Sequence, residues 1–140
     1  MRFHALLRIS TASIVCAVLS SCQRAGPEAT GAPTGTSIQI TKISPDTSAP
    51  LHPGDRVNLE VTTNYLLSAE SGFISLVVQA ADNSVILNQT EVVTKGSGTV
   101  TLKSSFTVPD TNSVLVFVPI GAQGQSSTST VDTRGYKVAK

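Results

Sequence analysis

The fold is decided at residues 73–90, which read FISLVVQAADNSVILNQT. Two aliphatic runs flank Asp82-Asn83, a pair that favours a tight turn, so this stretch predicts a β-hairpin. The first run, residues 73–81, is apolar at consecutive positions, and such a strand is buried on both faces. An antiparallel sheet with a strand of this kind at its centre is therefore the first hypothesis.

Outside this stretch the apolar residues recur at every second position. Val57, Leu59 and Val61 alternate with polar residues, and the same spacing runs from Val100 to Val108. Period two is typical of half-buried strands, and no helical spacing follows the first 22 residues. Residues typical of turns interrupt the pattern at 44–46, 52–55, 68–72, 82–83, 95–98 and 109–112.

The spacing of strands and turns predicts an all-β module at residues 37–140. Seven strands are expected, at 37–43, 56–66, 73–81, 84–93, 99–108, 113–120 and 126–138. Seven short strands in about 100 residues predict an antiparallel two-sheet sandwich. At 125–130 two interpretations stay open, a polar edge strand or a linker before a final strand around Tyr136.

In outline this module resembles the immunoglobulin-like and fibronectin-type-III-like domains of bacterial surface proteins. It departs from a true immunoglobulin domain, since it has neither the paired core cysteines nor the core tryptophan. The resemblance concerns architecture and implies no function by itself.

The two strands that are apolar on both faces predict a core face and an outward face. The expected core residues are Ile74, Leu76, Val78, Val114, Val116 and Val118. The outward set is then Phe73, Val77, Leu115 and Phe117, which we name the outward apolar set. If these four side chains are exposed together, they form a surface for a protein partner. The alternative is that a loop or the last strand covers them, or that the two faces are reversed.

Residues 1–21 have the pattern of a secretory signal peptide. Arg2 and Arg8 precede a mostly apolar stretch from Ile9 to Leu19, and small residues follow it. A transmembrane helix needs about 20 apolar residues, roughly twice this length. The segment is therefore expected to direct secretion and then be removed.

The end of that segment, Leu19-Ser20-Ser21-Cys22, resembles the lipobox of bacterial lipoprotein precursors. The resemblance implies lipidation of Cys22 and a membrane anchor there. Gln23 in place of Asp implies an outer-membrane position facing the periplasm in a Gram-negative host. In a Gram-positive host the same anchor implies the outer face of the plasma membrane. The alternative is an ordinary cleaved signal in which Cys22 is incidental.

Residues 22–36 predict a flexible linker between this anchor and the module. The segment is rich in Gly and Pro and has no aliphatic side chain larger than Ala after Cys22. Such a composition does not bury enough surface to offset the entropy of ordering. A flexible coil of this length spans about 20 Å on average, which keeps the module close to the membrane.

Catalytic and cofactor-binding patterns are missing from the sequence. His52 is the one histidine after the signal peptide, and its Pro-Gly-Asp context indicates an exposed turn. The chain has no nucleophile elbow, no phosphate-binding loop and no set of zinc ligands. Asp46, Asp55 and Asp110 are conceivable calcium ligands, but aspartate in turns is ordinary. We expect no enzymatic activity, no cofactor and no bound nucleotide.

Charge and composition restrict the class of partner. After residue 21 the chain carries eight Lys or Arg and nine Asp or Glu, a net charge of −1, which disfavours nucleic acid. The sequence therefore predicts a lipid-anchored envelope protein that acts as a non-enzymatic binding or scaffolding module for another envelope protein. The alternative function is an inhibitor or adaptor of an extracytoplasmic enzyme, with the turns at 44–55 and 109–112 as insertion loops.

Overall fold

A computed structural model describes residues 35–125 and 127–140 of the chain. The predicted signal peptide at 1–21, Cys22 and nearly all of the linker at 22–36 lie outside the described residues. The described part is all-β and contains no helix, and its strands form an antiparallel sheet. The strands are β1 (Ser37–Ser44), β2 (Arg56–Ala80), β3 (Val85–Thr107), β4 (Ser113–Ala122) and β5 (Thr130–Lys137).

The described chain has five strands where the sequence pattern predicts seven. The predicted strands 56–66 and 73–81 are both parts of β2, and 84–93 and 99–108 are both parts of β3. β2 and β3 pair from Arg56 with Thr107 to Gln79 with Val85. Each of the two strands therefore has backbone partners in the other strand on both sides of the turn that the sequence predicted within it. Residues 68–70 form an irregularity in this ladder instead of ending the strand.

The predicted hairpin at Asp82-Asn83 is confirmed. Asn83 has a positive φ of 68°, and its N–H donates to the Ala80 carbonyl oxygen at 2.9 Å. The Asp82 carboxylate accepts from the Ser84 N–H at 3.0 Å. An aspartate that bonds the backbone two residues ahead and an asparagine in left-handed conformation are what a tight turn requires.

The edge of β2 opposite β3 is shared by two other strands. β1 pairs with the first half of β2, from residue 60 to residue 66, and β4 pairs with the second half, from 72 to 80. β5 then pairs with β4 along its whole length, from Thr130 with Ile120 to Lys137 with Ser113. Two half-sheets therefore share the long strands: β1, β2 and β3 form the first, and β3, β2, β4 and β5 form the second.

The sheet folds back on itself between these two halves. Ile40 pairs with Thr63, whereas Asp132 pairs with Val118, which lies beside residues 76–77 of β2. Along a straight strand those two positions of β2 would be about 40 Å apart. The Ile40 N–H nevertheless donates to Asp132 Oδ2 at 2.7 Å. β2 must therefore bend sharply between residues 63 and 76, which brings the edges of β1 and β5 together.

One hydrophobic core lies inside the fold. Before the bend the buried hydrophobic residues of β2 have odd numbers, as Leu59 and Val61 do, and after it they have even numbers. The irregularity at 68–70 causes this change, because side chains in a strand alternate strictly between faces. The six residues predicted for the core are fully buried and belong to one cluster with the first half-sheet: Ile74, Leu76, Val78, Val114, Val116 and Val118.

The chain after β1 crosses to β5 and closes the same side of the fold. Leu51 forms a parallel bridge with Val138, and its N–H donates to the Lys137 carbonyl oxygen at 2.9 Å. Tyr136, 1% exposed, donates its hydroxyl hydrogen to the Pro45 carbonyl oxygen at 2.6 Å. β5 begins at Thr130, so residues 127–129 are not part of the strand predicted for 126–138.

Candidate functional site

The outward apolar set lies on the outer face of the second half-sheet. Phe73 and Val77 on β2 alternate with buried residues, and so do Leu115 and Phe117 on β4. Val77 and Phe117 are direct cross-strand partners. All four side chains are half-buried. They lie on the face away from the core, as predicted, and neighbouring residues cover part of each of them.

Part of that cover comes from contacts with glycines on the neighbouring strands. A Cβ atom on Gly121 would lie 2.6 Å from Cζ of Phe73, so the ring rests directly on the β4 backbone. A Cβ atom on Gly135 would lie 3.2 Å from Cδ2 of Leu115. These glycines leave room for the large side chains to lie flat against the sheet, which lowers their exposure.

A shallow groove of about 310 Å³ lies between β2, β4 and β5 on this face. Its lining is Val77, Gln79, Phe117, Pro119, Thr128 and Val131. Val131 is 48% exposed and lies opposite Pro119. Sequence reasoning missed Pro119 and Val131, because only the pairing of β4 with β5 shows that they extend the outward apolar set across the sheet.

Among the paired positions on the outer face of the second half-sheet, the one charged side chain is Lys137, which lies opposite Ser113 at the end of the β4–β5 ladder. Residues directly opposite each other in an antiparallel pair share a face, so the pairing identifies its members. Away from Ser113 and Lys137 the paired residues on this face are uncharged: Asn88, Thr90 and Val92 on β3, Phe73, Ser75, Val77 and Gln79 on β2, Leu115, Phe117 and Pro119 on β4, and Val131, Thr133 and Gly135 on β5. We name this surface the uncharged face.

The outer face of the first half-sheet has the opposite character. Lys103 and Glu60 form an ion pair at 2.9 Å, and Arg56 donates to the Ser105 hydroxyl at 3.2 Å. The hydroxyls of Thr62 and Thr101 are 3.1 Å apart. The outer face of the first half-sheet is therefore typical of a solvated surface, whereas on the second half-sheet the paired residues away from Lys137 carry no charge.

The two turn segments considered as insertion loops converge at one end of the fold, which we name the turn end. The Gly54 N–H donates to the Val108 carbonyl oxygen at 2.8 Å, and the Val138 N–H donates to the Asn112 carbonyl oxygen at 3.0 Å. The described chain begins at the other end, where the Ser68 N–H donates to Thr36 Oγ1 at 3.4 Å. A ten-residue strand such as β4 separates the two ends by about 30 Å.

The aspartates and the histidine considered for chemistry have local turn roles. Asp46 accepts from the Ser48 N–H at 2.8 Å, and hydrogen bonds from Ser48 lower the pKa of Asp46. His52 is exposed and lies 3.4 Å from the Asp55 carboxylate. Asp110 lies 3.6 Å from Lys140 Nζ. In the described part of the chain, no three His, Cys, Asp or Glu side chains gather as metal ligands would.

A polar contact that the sequence did not predict joins β5 to β1. Asp132 accepts from the Ile40 N–H, and Arg134 donates to the Ile40 carbonyl oxygen at 3.1 Å. Burial by itself would raise the pKa of Asp132, but the backbone hydrogen bonds from Ile40 and Thr133, together with Arg134, lower it overall. We name Asp132 and Arg134 the β1–β5 clamp. Its partners are 92 and 94 residues apart, so no local pattern indicates it.

The lipidation prediction concerns Cys22, which lies outside the described residues. Between Gly35 and Lys140, leaving out Ser126, no helix is long and apolar enough to cross a bilayer. The structure therefore places the module's two faces and two ends but leaves the anchor as a prediction.

Comparison with known proteins identifies no family for this chain. No family model matches the chain, and no curated protein matches it. Among solved structures, it is similar to a β-glucosidase from Listeria innocua in complex with gluconolactone, with 17% sequence identity and a TM-score of 0.43. The match covers 75% of this chain and 16% of that one, so the chain spans a small part of the length of that enzyme.

Proposed function

We propose that this chain is a lipid-anchored protein of the bacterial cell envelope that acts as a non-enzymatic binding or scaffolding module. The uncharged face is the observation that carries the binding role. A face with Phe73, Val77, Leu115 and Phe117 and no charge is costly to leave in water, and another protein that covers it would remove that cost.

The anchor in this proposal is Cys22, on the strength of its lipobox-like context. Two or three acyl chains hold a protein stably on a membrane. In a Gram-negative host, Gln23 favours the outer membrane, with the module in the periplasm. The linker then spans about 20 Å on average, which keeps the module close to the lipid.

We also propose that the two half-sheets are the two layers of an immunoglobulin-like sandwich. The bend in β2, the shared core and the meeting of β1 with β5 support this interpretation. In it, each long strand counts as two strands, one in each layer, and the total becomes the seven that the sequence predicts.

Labelling with a radioactive fatty acid tests the anchor. We expect the wild-type chain to carry the label and the Cys22→Ala variant to lose it. Label that persists unchanged in Cys22→Ala would contradict the proposal.

Capture from solubilised envelope tests the uncharged face. In the double variant Val131→Glu/Thr133→Glu, two charges enter the face at exposed positions of β5. The matched control is Thr99→Glu/Thr101→Glu, at exposed positions on the other face. We expect the first variant to lose the co-purifying envelope protein and the control to keep it. Equal retention by both variants would mean that the partner does not use this face.

The second candidate function, an inhibitor or adaptor of an extracytoplasmic enzyme, is favoured by the convergence of 44–55 and 109–112 at the turn end. The described chain begins at the opposite end of the fold, where Thr36 accepts a hydrogen bond from the Ser68 N–H. This function predicts a hydrolase as the captured partner. It also predicts that His52→Ala/Asp110→Ala loses this partner while the Val131→Glu/Thr133→Glu variant keeps it.

A further inference from the structure

The outer edge of β3 is unpaired within residues 35–125 and 127–140. β3 pairs with β2 on one side, and no strand of the described chain lies on the other. The edge of β1 is different, because the β1–β5 clamp bonds both backbone groups of Ile40. β5 is bridged near its end by Leu51. The N–H and C=O groups on a free edge are a template for one more strand.

The first half of β3 has few of the features that protect edge strands from pairing. Its central segment, residues 86–94, reads ILNQTEVVT and has no Pro, Gly or Lys. Glu91 is its one charged residue, and Val92 is 75% exposed. The second half of β3, in contrast, contains Gly96, Gly98 and Lys103. A strand partner is therefore expected at 86–94, which is about 30 Å long.

We propose that residues 86–94 pair with the same residues of a second copy of this chain, antiparallel, about a two-fold axis at Thr90. In this register Glu91 lies opposite Gln89 of the second copy, on both sides of the axis. The amide donates to the carboxylate, so the single charge of each edge meets a neutral donor. A register centred on Glu91 would instead oppose two carboxylates, which destabilises a strand pair. Leu87 lies opposite Val93 in the proposed register.

The linker of the same chain is a poor alternative occupant. Residues 23–34 have two Pro, two Gly and no aliphatic side chain larger than Ala, whereas strands favour β-branched and aromatic residues. A second copy presents the same unprotected edge, and a two-fold axis satisfies both edges at once.

The proposed pairing has a geometric consequence for the uncharged face. The axis of an antiparallel pair is perpendicular to the sheet, so both copies present this face on the same side. Two four-stranded half-sheets become one sheet of eight strands, and Val92 of each copy moves from an exposed edge to the interior of the two joined uncharged faces. This inference goes beyond the proposed binding function and does not depend on the lipid anchor.

Sedimentation equilibrium of the full chain in density-matched detergent tests the pairing. We expect a concentration-dependent dimer in the range from 1 to 100 µM. Gln89→Glu places like charges opposite each other twice, so the dissociation constant should rise about fivefold. Gln89→Lys places Lys opposite Glu91 twice, so the constant should fall by about the same factor.

Thr101→Glu and Thr101→Lys are the matched controls, because Thr101 is exposed on the second half of the same strand. Neither control should change the dissociation constant. A wild-type chain that stays monomeric at 100 µM would overturn the proposal. So would Gln89 variants that both shift the constant in the same direction, or controls that shift it as much.

Discussion

Removal of one hydroxyl group, in the variant Tyr136→Phe, tests how the turn end is held to the core. Tyr136 is among the largest fully buried side chains, and its hydroxyl donates to the Pro45 carbonyl oxygen at 2.6 Å. The variant keeps the ring and leaves that carbonyl oxygen without this donor. A lost hydrogen bond that leaves a part-buried acceptor unpaired costs about 2 kcal/mol of unfolding free energy at pH 7.

The same bond predicts how this cost changes with pH. Burial, and to a lesser degree the Asp46 carboxylate, raise the pKa of Tyr136 from 10.0 to about 12. Between these values the unfolded chain loses the phenol proton while the folded chain keeps it, so wild-type stability falls as pH rises. Two pKa units correspond to about 2.7 kcal/mol. The contribution is fully present below pH 10 and is lost through pH 12.

The advantage of the wild type over Tyr136→Phe should therefore shrink from about 2 kcal/mol at pH 7 to nearly zero at pH 12. Urea unfolding of both proteins, followed by circular dichroism at several pH values, measures this difference, and other titrating groups cancel in it. The chain has two tyrosines, so phenolate absorbance in the variant Tyr65→Phe reports Tyr136 alone. A stability difference that stays constant from pH 8 to pH 12 would refute the reasoning.

Three further substitutions test the fold by urea unfolding. Asp132→Ala should lower the free energy of unfolding by about 2 kcal/mol at pH 7, because it removes a charge-assisted hydrogen bond to the Ile40 backbone. Since the pKa of Asp132 is lowered in the folded protein, this loss should be complete above about pH 4 and should fade at lower pH. A loss of the same size at pH 2 would contradict this prediction. Gly72→Ala should lower the free energy of unfolding by more than about 2 kcal/mol, because the new methyl group would clash with a backbone oxygen and with the buried Leu67. A variant as stable as wild type would show that the backbone adapts. Lys103→Ala should change stability by less than about 0.5 kcal/mol, since its ion pair with Glu60 is solvated; a loss above 1 kcal/mol would refute this estimate.

Local sequence was sufficient for the orientation of side chains at the centre of the sheet. Strict alternation in a strand fixes which residues share a face once one buried position is known. Ile74 and Val116 are fully buried, as predicted, and Val77 and Phe117 lie on the other face. The hairpin at Asp82-Asn83 was also predictable, because its turn is stabilised by bonds within five residues.

The length of the strands could not be predicted in the same way. Ser68–Gly72 and the segment 95–98 contain residues typical of turns, and the pattern therefore predicted a break at each. Each segment instead continues a strand, because the partner strand supplies hydrogen bonds on both sides of it. Whether such a segment turns or continues depends on a strand that is distant in sequence.

What the sequence by itself determined is the all-β class, the antiparallel hairpin of β2 and β3 and the two faces of β2 and β4. Tertiary structure decided the bend of β2, the β1–β5 clamp, the extension of the outward apolar set to Pro119 and Val131, and the free edge of β3. The physical reason is the range of the interactions. Alternation and turn bonds act within a few residues, whereas the contact between Ile40 and Asp132 joins parts of the chain 92 residues apart. Such contacts exist only after the sheet has folded on itself.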